Sequence, residues 1–124
     1  MTTSSATQLD LGEVSETYFA AWEARDPDAI AALHTTDTHF HVHAPGEDPA
    51  DGREAARANF AQTFERFPDF AFEVNRVLLG ESHWVLDWVM IDDTLGVRLP
   101  LLDVVEVSPD GLVARKDVYV EVPA

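Results

Sequence analysis

The chain has no cysteine, and only 8 lysines and arginines stand against 23 aspartates and glutamates, a formal net charge of −15 over 124 residues. The missing cysteine excludes disulfides, zinc ribbons and thiol catalysis. The shortage of basic residues argues against a nucleic-acid partner, because phosphate binding needs positive surface, and it disfavours anionic membranes for the same reason. No apolar run approaches the roughly 18 residues of a membrane span. Met1 to Gln8 has neither the basic start nor the apolar stretch of a secretory signal, so a cytoplasmic protein is expected. Hydrophobic residues make up 46% of the chain, enough for one core. The length fits one domain over residues 9–124 behind a disordered tail over 1–8.

Periodicity predicts a helix over Asp10 to Arg25, with Asp10 and Glu13 at capping-box spacing and Leu11, Val14, Tyr18 and Trp22 on one stripe. Asp26-Pro27 starts a second, short helix that stops near Thr36. Thr38 to His43 alternates as a strand, Ala44 to Asp51 reads as a loop, and Gly52 to Phe67 as a third helix. Four strands follow, over Phe70–Leu79, His83–Ile91, Val97–Val107 and Leu112–Val122. The order α-α-β-α-β-β-β-β predicts an α+β fold, three helices packed in a curved, mostly antiparallel sheet.

The strand faces carry the chemistry. In Val97–Val107 the odd positions are Val97, Leu99, Leu101, Asp103, Val105 and Val107, so a period of two sets one carboxylate on an otherwise apolar face. The other inward registers supply Phe40 and Val42, then Phe70, Phe72, Val74 and Leu78, then Trp84, Leu86, Trp88 and Met90, and finally Leu112, Ala114, Val118 and Val120. Arg76 and Lys116 are polar exceptions within them. With Tyr18, Trp22, Phe60 and Phe64 from the helices, and Leu101, this wall is expected to enclose an apolar pocket for a hydrophobic small molecule. Desolvation raises the pKa of a carboxyl on such a wall, which suits it to donate a proton or hydrogen bond near neutral pH. Tyr18 is the second candidate donor, and the two together suit an oxyanion. The structural alternative pairs Asp103 with Arg76 or Lys116 as an ion pair.

The segments YFAAWEARDPDAIAAL, DGREAARANF with FPDFAFEV, and DVVEVSPDGLVARKDVYVE resemble the nuclear transport factor 2-like superfamily, and within it the SnoaL-like polyketide cyclase and ketosteroid isomerase branch. The resemblance spans about Val14 to Glu121. It implies a cone-shaped α+β barrel with a deep apolar pocket and a homodimer through the convex sheet face. It also implies an isomerase, cyclase or dehydratase acting on a hydrophobic carbonyl compound through an enolate-like intermediate. Tyr18 and Asp103 match the oxyanion-hole residues of ketosteroid isomerases, whose protonated aspartic acid is a known case. The isomerase base falls at Val42 by ungapped counting, and valine cannot abstract a proton. A one-residue bulge would bring His41 or His43 there instead, and imidazole suits that role. A non-catalytic binding or dimeric accessory module of the same fold is the alternative. An epoxide hydrolase, which needs an arginine between two carboxylates such as Asp87 and Asp117, is a lower one.

His39, His41 and His43 share one strand face. Same-face residues over that span stretch about 13 Å, so the three cannot all reach one ion, and two histidines with a carboxylate are the most that converge. No metal and no cofactor is expected.

Overall fold

A computed structural model describes residues 10–121. The expected tail over 1–8 lies outside the described residues. Helix α1 spans Leu11–Glu23, and the Asp10 carboxylate accepts from the Glu13 backbone N–H at 3.2 Å, as the capping-box spacing requires. Its buried stripe is Leu11, Tyr18 and Trp22. Helix α2, Pro27–Ala32, starts on Asp26, whose carboxylate accepts from Asp28 and Ala29 N–H at 3.1 Å each.

Strand β1 runs from His34 to His43, four residues earlier than the alternation indicates, because α2 ends at Ala32 rather than near Thr36. A two-residue strand β2, Ala50–Asp51, pairs antiparallel with β1 where the sequence reads as loop. Helix α3 spans Arg53–Arg66, followed by β3 (Ala71–Leu79), β4 (His83–Asp92), β5 (Val97–Val107) and β6 (Val113–Val120). Gly96 and Gly111 take φ of 67° and 82° in the β4–β5 and β5–β6 turns, a region open to glycine at little steric cost.

The six strands form one sheet in the order β2-β1-β6-β5-β4-β3, with β1 and β6 parallel and the rest antiparallel. The sheet curls in a cone-like way without closing, so β2 and β3 are edges. One face packs on the helices. Phe60 of α3 is fully buried and meets Trp22, His34 and Phe40 with ring centroids 5.1, 5.2 and 5.1 Å apart.

Strand β3 departs from simple alternation. Its register with β4 slips between Val74 and Arg76, a bulge at Asn75 that reverses the facing of every later residue. Arg76 is thereby turned to the outer face, where its Nε lies 3.3 Å from Asp87 Oδ2, and Val77 rather than Leu78 reaches the inner side. The inward placements of Arg76 and Leu78 are corrected by that single extra residue.

Candidate functional site

The inner face and the helices enclose a cavity of about 470 Å³. Its lining is largely aromatic and aliphatic. Tyr18, Trp22, Phe40, Val42, Phe72, Leu86, Trp88, Met90, Leu101, Val118 and Val120 all contribute, as the strand faces indicate. Phe60 and Phe64 do not. They pack behind Trp22, so α3 instead offers Asn59, Gln62, Thr63 and Arg66 to the cavity. Glu16, Gln62 and Arg66 are exposed and mark the polar rim.

Away from that rim the cavity holds a small buried polar group. Asp103 and Lys116 are 3% and 5% exposed, and Lys116 Nζ lies 3.7 Å from Asp103 Oδ2. The register explains the meeting: Asp103 pairs with Val118 and Val105 with Lys116, and all four residues share the inner face. Lys116 is the only lysine in the chain. Its Nζ also lies 3.4 Å from Tyr18 Oη and over the rings of Trp22 and Tyr18, at 4.5 and 4.9 Å from their centroids. Tyr18 Oη is in turn 2.9 Å from His34 Nε2, and His34 Nδ1 is 2.9 Å from Thr38 Oγ1. Sequence reasoning missed His34 and Thr38, because the first was assigned to the end of α2.

Each titratable group here responds to burial first. Burial pushes the Asp103 carboxyl up, while Lys116 and the Trp88 indole N–H pull it down by less. The indole is near enough to be felt but outside hydrogen-bonding geometry, since Trp88 Nε1 and Asp103 Oδ1 are both buried without a partner. Burial also raises the Tyr18 phenol. His34 is lowered to about 3 by burial, helped by the charges of Lys116 and Arg53, and is neutral at pH 7. Burial lowers Lys116, but the Tyr18 oxygen and Asp103 outweigh it and leave the ammonium pKa raised.

His41 and His43 are not in this cavity. The β1–β6 register runs without a break through Phe40↔Lys116, His41↔Asp117, Val42↔Val118 and His43↔Tyr119. The one irregularity falls earlier, between His34 and His39. Val42 therefore faces the cavity, and the bulge that would turn a neighbouring histidine inward is not at that place. On the outer face His43 Nε2 is 2.8 Å from Asp117 Oδ1, and Arg115 Nε donates to Asp117 Oδ2 at 2.8 Å. His39, His41 and Asp117 have ligand atoms within 4.8 Å of one another, the two-histidine-and-carboxylate limit that strand geometry allows. Asp87 and Asp117 both lie on this outer face, so neither carboxylate named for an epoxide hydrolase reaches the cavity.

A family model for the SnoaL-like domain matches residues 15–116. The chain belongs to the SnoaL-like domain family. No curated protein matches it. Among solved structures, a SnoaL-like protein of unknown function from Burkholderia thailandensis superposes with a TM-score of 0.75 at 21% identity, covering 90% of this chain and 94% of that one. A protein of cystatin-like fold from Methylobium petroleophilum gives 0.77 at 13% identity over 91% and 76%. A protein with a ketosteroid isomerase-like fold from Catenulispora acidiphila, in complex with trimethylamine, gives 0.73 at 18% over 86% and 84%. At these identities the likeness is one of fold: the SnoaL-like cone of the nuclear transport factor 2-like superfamily.

Proposed function

We propose that this SnoaL-like protein binds a hydrophobic carbonyl compound in the cone and shifts a proton on it, as an isomerase or cyclase does. The observation that carries this reading is one buried carboxyl, Asp103, with a free Oδ1 on the wall of an otherwise apolar cavity. A carboxylate there takes a proton from the carbon beside the carbonyl. The electron pair moves to the carbonyl oxygen, giving an enolate-like intermediate, and Asp103 returns the proton to a different carbon. No group is consumed. Burial supports this role, because a raised pKa makes the carboxylate a stronger base. With His41 and His43 turned to the outer face, Asp103 is the ionisable side chain best placed for the task. A second copy of the chain is the proposed partner, docked on the outer sheet face that bears His43 and Tyr119. No helix among the described residues is long and apolar enough to cross a membrane.

The test is deuterium exchange, followed by proton NMR in heavy water, on a panel of cyclic and aromatic ketones. Wild type is expected to speed exchange beside the carbonyl, and Asp103→Asn to slow it by roughly 10²–10⁴-fold, the usual worth of a positioned base. Ketones that bind without any exchange would instead establish the non-catalytic binding module.

A further inference from the structure

The hydrogen-bond directions around Tyr18 can be assigned from one end. The Thr38 hydroxyl donates to the Val113 carbonyl at 3.2 Å. A hydroxyl has a single hydrogen, so toward His34 the Thr38 oxygen accepts and His34 Nδ1–H donates. His34 is neutral and carries one ring proton, now placed on Nδ1, which leaves Nε2 a bare acceptor. The Tyr18 O–H must then donate to Nε2. Its only hydrogen is committed away from the cavity, and its lone pairs face Lys116 Nζ at 3.4 Å.

Lys116 has the opposite disposition. It lines the cavity, and its ammonium has three hydrogens. One side meets Tyr18 Oη, and another faces Asp103 Oδ2 at an ion-pair distance longer than a hydrogen bond. The aromatic faces of Tyr18, Trp22 and Phe40, with centroids 4.9, 4.5 and 5.9 Å from Nζ, favour the charged form.

We infer that Lys116, and not Tyr18, grips the ligand's oxygen, and that His34 and Thr38 are positioning residues that hold Tyr18 as a support for the ammonium. This rests on the pocket reading above and sharpens its ligand class to apolar molecules whose oxygen is anionic or becomes so. In the proposed reaction the electron pair leaving the C–H bond collects on an oxygen that already faces a fixed positive charge. The arrangement departs from the phenol-and-acid pair that the family resemblance implies.

The probes are β-naphthol, an aromatic with one acidic oxygen, and β-methylnaphthalene, which matches its shape without the oxygen. Wild type should prefer the naphthol by roughly 10–100-fold, the affinity equivalent of one charge-assisted hydrogen bond. Lys116→Met should abolish the preference, and Tyr18→Phe should retain most of it. Because the chain has one lysine, nitrogen-15 lysine labelling gives a single side-chain resonance to watch in the folded wild-type protein. That resonance should move on adding β-naphthol and stay still on adding β-methylnaphthalene. The imidazole spectrum should show His34 protonated on Nδ1 alone.

The inference is overturned by a preference lost in Tyr18→Phe but kept in Lys116→Met, by a naphthol that binds without moving the lysine signal, or by a His34 proton on Nε2. If wild type binds both probes equally, the oxygen grip is wrong while the apolar pocket stands. If neither probe binds, the pocket reading falls with it.

Discussion

Asp103 and Asp117 sit on neighbouring strands one register step apart, Asp103 opposite Val118 and Asp117 opposite Val104, so they point to opposite faces of the same sheet. Their exposures are nearly equal, 3% and 6%. Their acidities diverge all the same. Burial raises both, but at Asp117 the hydrogen bonds from Arg115 and His43 outweigh it and leave that carboxyl below its usual range. Asp103 has one ammonium at 3.7 Å and an unpartnered Oδ1, and burial wins. Depth and donors act together here: Asp103 lies deep in the core with few donors, whereas Asp117 sits just under the outer surface with two donors on its oxygens. The inner site is left electrostatically unfinished, and the outer one is complete.

The largest expected effect comes from removing the ammonium beside Asp103. Lys116→Met leaves Asp103 buried beside no counter-charge, which costs about 3–5 kcal/mol when the lost partner was fully buried. Urea unfolding near pH 8 measures it. Adding Asp103→Asn should recover most of the loss, because two neutral groups replace a stranded ion. A double variant no more stable than Lys116→Met alone would mean that the two groups do not act as a pair.

Comparable in size over its full range is a pH effect from His34. Its folded pKa, about 3, lies below the ordinary imidazole value of about 6.5, so the unfolded chain binds the extra proton first as pH falls. Its contribution is complete above about pH 6.5 and drains away at about 1.4 kcal/mol per pH unit down to about 3. Asp117, with a lowered pKa, also loses its contribution on acidification. Asp103, with a raised pKa, works in the opposite sense, since the folded state holds its proton more readily than the unfolded one. Stability curves of wild type and His34→Gln should therefore converge as pH is lowered from 6.5, and parallel curves would mean that His34 is not buried neutral.

The two carboxyls also differ in how readable they were. Asp103 followed from alternation alone because β4 and β5 pair without a slip from His83↔Glu106 to Asp92↔Val97, so parity holds along the whole strand. Arg76 was misplaced because parity fails at the first bulge, and nothing in NRV marks Asn75 as the extra residue. His34 was hidden at an element boundary, the least certain part of any helix reading. The β-branched Thr35, Thr36 and Thr38 after it were the available hint that the strand had already begun. Strand β2 is too short to carry a period. Phe60 and Phe64 have the spacing of a wall but serve as its backing, a distinction that depends on how α3 rolls against Trp22 and not on its own residues. Lys116 was seen as a possible partner for Asp103, yet its being the chain's sole lysine was the stronger signal.

The smallest effect completes the contrast from the outer side. Arg115 is adjacent to Lys116 in the chain but faces outward, with its side chain 50% exposed, and it donates to Asp117 Oδ2 at 2.8 Å. An ion pair with one partner this wet is worth about 0.2–1 kcal/mol, because water and salt screen it. Arg115→Gln should therefore destabilise the protein by no more than that, and the loss should shrink as sodium chloride rises from about 0.05 to about 1 M, where the screening length falls to about 3 Å. The Lys116→Met penalty should change far less over the same range, because Asp103 and Lys116 are almost wholly buried and bulk ions screen them weakly. Urea unfolding of the two variants across that salt series separates the cases. Equal salt sensitivity would mean that solvent reaches Asp103, and the inner carboxyl would then have no claim to a distinct chemistry.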